Sequence, residues 1–164
     1  ALAGIHDRIL PGAFPSQFPK MHGGASEGHR VFSLADLRAG RRPSWFGEHQ
    51  RAHILLNVAL ALQTKVALER TGIGPRTAIF IEGGFRRNQT YRNVLAALFS
   101  HTTVSCTSLA QATATGTALL GFALLDGCDP TAFADRLSIN EEPVPPPRLS
   151  NLARYAQAYL AAVR

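Results

Sequence analysis

The stretch IFIEGGFRRNQTY, residues 79–91, constrains this chain more than any other. Its β-branched and aromatic start, preceded by Pro75, reads as a buried strand. Two glycines, Gly83 and Gly84, stop it just after Glu82. The chain then turns basic and amidic and continues as RRNQTYRNVLAALFS, in which Tyr91, Val94, Leu95 and Leu98 share one face of an amphipathic helix. A strand running through a glycine pair into a helix is the building step of α/β layers, where ligands collect at the carboxyl ends of strands. Missing Cβ atoms there admit a flat or charged ligand to the backbone, and the helix N-terminus that follows offers free N–H groups to phosphate. Arg86 and Arg87 add charge. The alternative is a tight turn that needs positive φ and nothing more, and the glycine pair alone does not choose between the two.

The remaining segments supply the layers. SLADLRAG predicts a short helix with Ser33 as N-cap and Gly40 past its end. Leu55, Ala59, Leu62 and Val66 recur at helical spacing and predict a long helix from Glu48 to Arg70, closed by Gly72. After the central stretch come a short strand, TTVSC, and a helix, SLAQATATGTALLGFALLDG, with Ala112, Gly116 and Ala123 on one side. NEEPVPPP reads as a stiff extended linker. RLSNLARYAQAYLAAV closes the chain as a helix with Leu152, Tyr155 and Tyr159 at spacings of three and four. Residues 1–30 are broken by Pro11, Gly12, Pro15, Pro19, Gly23, Gly24 and Gly28 and read as loop. The 164 residues suit one domain: a loop-rich entry segment, 1–47, and an α/β core with closing helix, 48–164. The strand near 76–81 is expected at the centre of its sheet. Helices 48–70 and 109–126 should flank it, since both are too apolar to be exposed.

Several function classes fall away. The most apolar run, Ile54–Leu62, is interrupted by Asn57 and flanked by His53, Gln63 and Lys65, which fits a buried helix and no membrane partner. Cys106 and Cys128 have no CxxC spacing, so neither a disulfide framework nor a zinc site is indicated, and a reducing cytoplasm fits best. Ala1 replaces an initiator Met and Ala1–Leu10 lacks the features of a signal peptide, so the chain is expected to be processed or part of something larger. The net charge of +6, from 17 Lys and Arg against 11 Asp and Glu, invites nucleic acid as a partner. The arginines, however, sit in short groups (Arg38, Arg41 and Arg42; Arg86 and Arg87) without interleaved aromatics that stack on bases. His49 and His53 are four apart but lack a third ligand, so no metal site is assigned. His22 and His29 stand in glycine-rich loop and carry no reading. No serine stands in a GxSxG nucleophile-elbow setting, since the one such string, GASEG at residues 24–28, falls in the stretch read as loop and opens no helix, and neither cysteine has an adjacent base, which leaves a self-contained hydrolase unsupported.

IFIEGGFRRNQTYRNVLAALF, the short strand after it and SLAQATATGTALLGFALLDG together resemble the carboxyl-terminal domain of the FGGY carbohydrate kinases, ATP-dependent sugar kinases of the actin and hexokinase superfamily. The matching motifs are Glu82-Gly83-Gly84 and Gln111-Ala112-Thr113-Ala114-Thr115-Gly116, and the likeness covers roughly residues 45–164. It implies an actin/hexokinase-like (ribonuclease H-like) ATPase domain, carboxyl-terminal lobe, with ATP and Mg2+ as cofactors. By resemblance, Gly83 and Gly84 form the turn against which the adenine and ribose of ATP lie, and Asn88 matches the amide residue that contacts the base. Phe85 replaces a usual small residue and narrows the pocket, which tilts the substrate toward deoxy-ketoses or related sugars. Gln111 replaces a usual acid and Thr117 a usual alanine. The implied partners are ATP, a ketose or polyol, and an amino-terminal kinase lobe carrying the phosphate loops, the sugar pocket and the catalytic aspartate; a homodimer is left open. No catalytic residue is assigned. Asp7 in GIHD looks like the base of some members, but it runs straight into RILPG where they have small residues. Two other classes stay open: a non-catalytic nucleotide-binding or scaffolding relative of the actin-like ATPases, and a basic nucleic-acid-binding domain.

Overall fold

The computed structural model of the chain describes residues 17–19, 24–27, 30–74, 76–109 and 111–163. Its elements run in chain order as β1 (Gln17–Pro19), β2 (Gly24–Glu27), β3 (Arg30–Ser33), α1 (Leu34–Arg38), a 3-10 turn (Ser44–Gly47), α2 (His49–Arg70), β4 (Ile79–Ile81), a second 3-10 turn (Gly83–Arg87), α3 (Gln89–Leu98), β5 (Val104–Thr107), α4 (Ala112–Asp126), a third 3-10 turn (Pro130–Arg136), β6 (Glu141–Pro143) and α5 (Leu152–Val163). The alternation from α2 to α4 is the α/β order expected of the sequence.

Helix α2 is the core's axis. Its inward arc, Ile54, Leu55, Val58, Ala59, Ala61 and Leu62, is buried, and α3 packs on it through Tyr91, Val94, Leu95 and Ala96. Burying several large aliphatic side chains at about 1.5–3 kcal/mol each outweighs any helix propensity. Closing helix α5 docks Leu152, Tyr155, Ala156 and Tyr159 into the same core, as its spacing predicts, and the Gln63 amide donates to the Tyr159 hydroxyl at 3.4 Å. Burial pushes the ionisation of Tyr155 and of Tyr159 upward.

Strands β4 and β5 pair in parallel with Ile79 opposite Val104, Phe80 opposite Ser105 and Ile81 opposite Cys106. β6 pairs antiparallel on the far side of β5, giving the order β4-β5-β6. Three expectations change here. β4 is at the edge of its sheet among the described residues, not at its centre, and it is half-buried: Ile79 and Ile81 face inward while Phe80 is 47% exposed. The fully buried strand is β5. Helix α4 does not cover β4; it buries only Ala123, leaves Leu120, Phe122, Leu124 and Leu125 exposed, and turns Phe122 toward Phe133 of the third 3-10 turn, ring centroids 6.4 Å apart. NEEPVPPP is not a free linker, because Glu141–Pro143 lies on β5 as an edge strand, where a proline costs no interior ladder bond.

The entry segment also departs from loop. β1, β2 and β3 form an antiparallel sheet, with Ala25 and Phe32 paired across β2 and β3 and both buried. The strands are three or four residues long, so the surrounding glycines and prolines mask their pattern. α1 forms as expected: Ser33 Oγ accepts from the Asp36 N–H at 3.1 Å and Asp36 Oδ2 accepts from the Ser33 N–H at 2.8 Å, a reciprocal capping box. No helix among the described residues is long and apolar enough to cross a membrane.

The bonds from Ser33, joined by Arg41 at 2.6 Å, hold the Asp36 carboxyl at about 2. A depressed carboxyl contributes its stabilisation above its ordinary value and loses it as pH falls through the folded one. The Asp36 side chain is therefore expected to titrate by NMR with a midpoint of about 2; an ordinary carboxylate midpoint would mean that the box does not persist in solution.

Candidate functional site

The site starts where β4 ends. Glu82 is extended, and Gly83 enters the 3-10 turn with φ +61, a left-handed conformation that a Cβ resists. Gly83 is thus required by the turn. Gly84 is not: its φ is ordinary, and a Cβ built on it meets nothing within 4 Å among the described residues. The fold gives a reason for one glycine of the pair and none for the other.

Two side chains lock the strand ends. The Thr107 hydroxyl at the carboxyl end of β5 donates to Glu82 Oε1 at 2.8 Å, so the two parallel strands finish side by side. Beyond them opens a cleft of about 300 Å³ lined by Gly83, Gly84, Arg86 and Arg87. Arg86 also borders a second groove with Thr107, Ser108, Asn140, Glu141 and Glu142. Neither arginine pairs with a carboxylate among the described residues, which leaves their charge available to an anion.

Phe85 is 45% exposed and stacks on Tyr91, centroids 4.4 Å apart at 35°. Tyr91 is itself fixed, its hydroxyl 2.9 Å from Thr64 Oγ1 on α2. Asn88 caps α3 by accepting the Tyr91 N–H on Oδ1 at 3.1 Å, while its Nδ2 donates to Asn57 Oδ1 on α2 at 2.6 Å. The sequence thus brings Gly83, Gly84, Phe85 and Asn88 into one continuous turn and cap. Asn57 was visible only as an interruption of an apolar run. A polar residue at a core-facing helical position needs a partner, and that was the available signal.

Other sequence candidates go elsewhere. Gln111–Gly116 opens α4, and none of its residues lines the cleft among those described. His49 and His53 are both exposed on α2, and His53 Nε2 lies 3.1 Å from Asn57 Nδ2. Among the described residues no three His, Cys, Asp or Glu side chains gather as a metal site. Asp7, His22 and His29 lie outside the described residues.

The model of the carbohydrate kinase FGGY C-terminal domain matches residues 28–130, well over half of the chain. The chain belongs to the FGGY carbohydrate kinase family. The matched span takes in both motifs of the resemblance, begins upstream of it before β3 and stops short of α5. No curated protein and no solved structure gives a significant match.

Because Asn88 both caps α3 and bonds Asn57, its removal acts on the fold as well as on any ligand. Asn88→Ala is expected to lower unfolding stability by about 1–2 kcal/mol in chemical denaturation. An unchanged midpoint would mean that the cap and the amide pair contribute nothing.

Proposed function

We propose that the chain is the ATP-binding lobe of a sugar kinase with an actin/hexokinase-like core. The complete enzyme transfers the γ-phosphoryl group of Mg-ATP to a hydroxyl of a ketose or polyol, in a cleft closed against an amino-terminal lobe. Gly84 is the observation that carries this: a cleft-lining glycine that turn geometry does not require, in a chain of a carbohydrate kinase family. An adenine laid on that backbone gives the missing side chain its reason. Phe85 supplies an aromatic wall, Asn88 an amide for the base edge, and Arg86 and Arg87 positive charge for the phosphates. The glycines and arginines of the cleft offer Mg no oxygen side chain, so the ion enters as part of Mg-ATP.

Gly84→Leu is the cleaner test of the two glycines, since Gly83→Leu would add backbone strain. Titration of ATP followed by amide chemical shifts should show at least about tenfold weaker binding for Gly84→Leu, with unfolding unchanged. Equal affinity would remove the base from this turn.

Phosphoryl transfer needs the sugar hydroxyl, a base and the γ-phosphate held together, and this cleft holds the nucleotide half. An open half-site makes few contacts against the entropy of association, so the chain alone should bind ATP only in the high micromolar to millimolar range. With Mg-ATP and a panel of ketoses and polyols it should release no ADP in response to sugar. Sugar-dependent turnover abolished by Asp7→Asn would instead make Asp7 the base.

A further inference from the structure

Asn57 sits on α2 at 2% exposure, among Ile54, Leu55, Val58 and Ala61. A buried amide costs free energy unless its groups are bonded, and this one is bonded in a fixed direction. Its Nδ2 donates to the backbone carbonyl of His53 at 2.8 Å and reaches His53 Nε2 at 3.1 Å, which accepts in the tautomer protonated on Nδ1. Its Oδ1 accepts from Asn88 Nδ2 at 2.6 Å, and Asn88 Oδ1 accepts from the Tyr91 N–H at 3.1 Å. The relay begins on a backbone carbonyl, which can only accept, and ends on a backbone N–H, which can only donate. Neither amide between them can turn over without setting donor against donor or acceptor against acceptor.

After these bonds Asn88 keeps one Nδ2 hydrogen and one Oδ1 lone pair, and it directly follows the turn that lines the cleft. We propose that Asn57 is a positioning residue for nucleotide selectivity: by holding the Asn88 amide in one orientation it makes the site favour adenine over guanine. The proposal rests on the nucleotide function assigned above. At positions 1 and 6 adenine presents an acceptor and a donor, and guanine presents the reverse. A fixed amide matches only one of these patterns, whereas one free to turn serves both. With Asn57 in place a reversed Asn88 amide breaks both of its bonds; without Asn57 it breaks only the one from the Tyr91 N–H, and the orientation that suits guanine comes within reach.

The test measures ATP and GTP affinities of the chain by amide chemical-shift titration, with thermal unfolding alongside, for Asn57→Leu, Asn57→Asp and Asn88→Ala. Asn57→Leu removes the acceptor and should reduce the ATP-to-GTP affinity ratio about tenfold. Asn57→Asp still accepts from Asn88 Nδ2, so its ratio should stay near that of the unaltered chain, although the buried charge lowers its unfolding temperature. A purely structural Asn57 would make the ratio indifferent to both variants or make it follow the unfolding temperature. Either result overturns the proposal, and Asn57→Leu alone decides it if the aspartate variant does not fold. If Asn88→Ala leaves ATP binding and the ratio unchanged, the nucleotide function of the cleft fails instead.

Discussion

The parallel pairing of β4 with β5 is the constraint on which the rest of the site depends. Three register pairs align the strands, and the Thr107 hydroxyl on the Glu82 carboxylate closes their carboxyl ends. From that closed end the chain has to leave the sheet, and Gly83 in the left-handed region lets it do so within one residue. The turn then hands over to α3 at Asn88. Helix α2 holds the handover at two points two turns apart: Asn57 on Asn88, and Thr64 on Tyr91, which in turn carries Phe85. A shift of α2 against α3 would move the Phe85 ring and the Asn88 amide together.

The edge position of β4 counts against the central strand expected for this family, and the exposed apolar surface of α4 goes with it. β4 buries one face, and nothing among the described residues covers Phe80 or the outer leucines of α4. Helices apolar all round are ordinarily buried. The family assignment stands on the match over residues 28–130, which contains both glycine motifs.

Helices were the most legible part of the fold. α2, α3 and α5 announce themselves because a periodic apolar face repeats over ten or more residues, and α1 because Ser33 offers an N-cap and Gly40 lies just past its end. Of the strands, β4 and β5 were read from IFI and TTVSC, but β1, β2 and β6 were not, because they are three or four residues long and carry Pro19, Gly24 or Pro143. A pattern of period two needs more residues than that to rise above its flanks. At the site, the turn residues from Gly83 to Asn88 were readable as a contiguous motif. Asn57 was not, being 31 residues away from Asn88 along the chain and joined to it only by the packing of α2 on α3. The distinction between Gly83 and Gly84 was equally hidden, since it depends on a backbone angle and on empty space beyond a Cβ.

The central claim is that an adenine lies on the backbone at Gly84, beside Phe85. Intermolecular nuclear Overhauser effects between the adenine protons of ATP and the isotope-labelled chain test it most directly. Contacts from adenine H2 or H8 to the Gly84 α-protons and the Phe85 ring are the expected result. Adenine contacts that fall elsewhere on the chain, with none to Gly84 or Phe85, would contradict it.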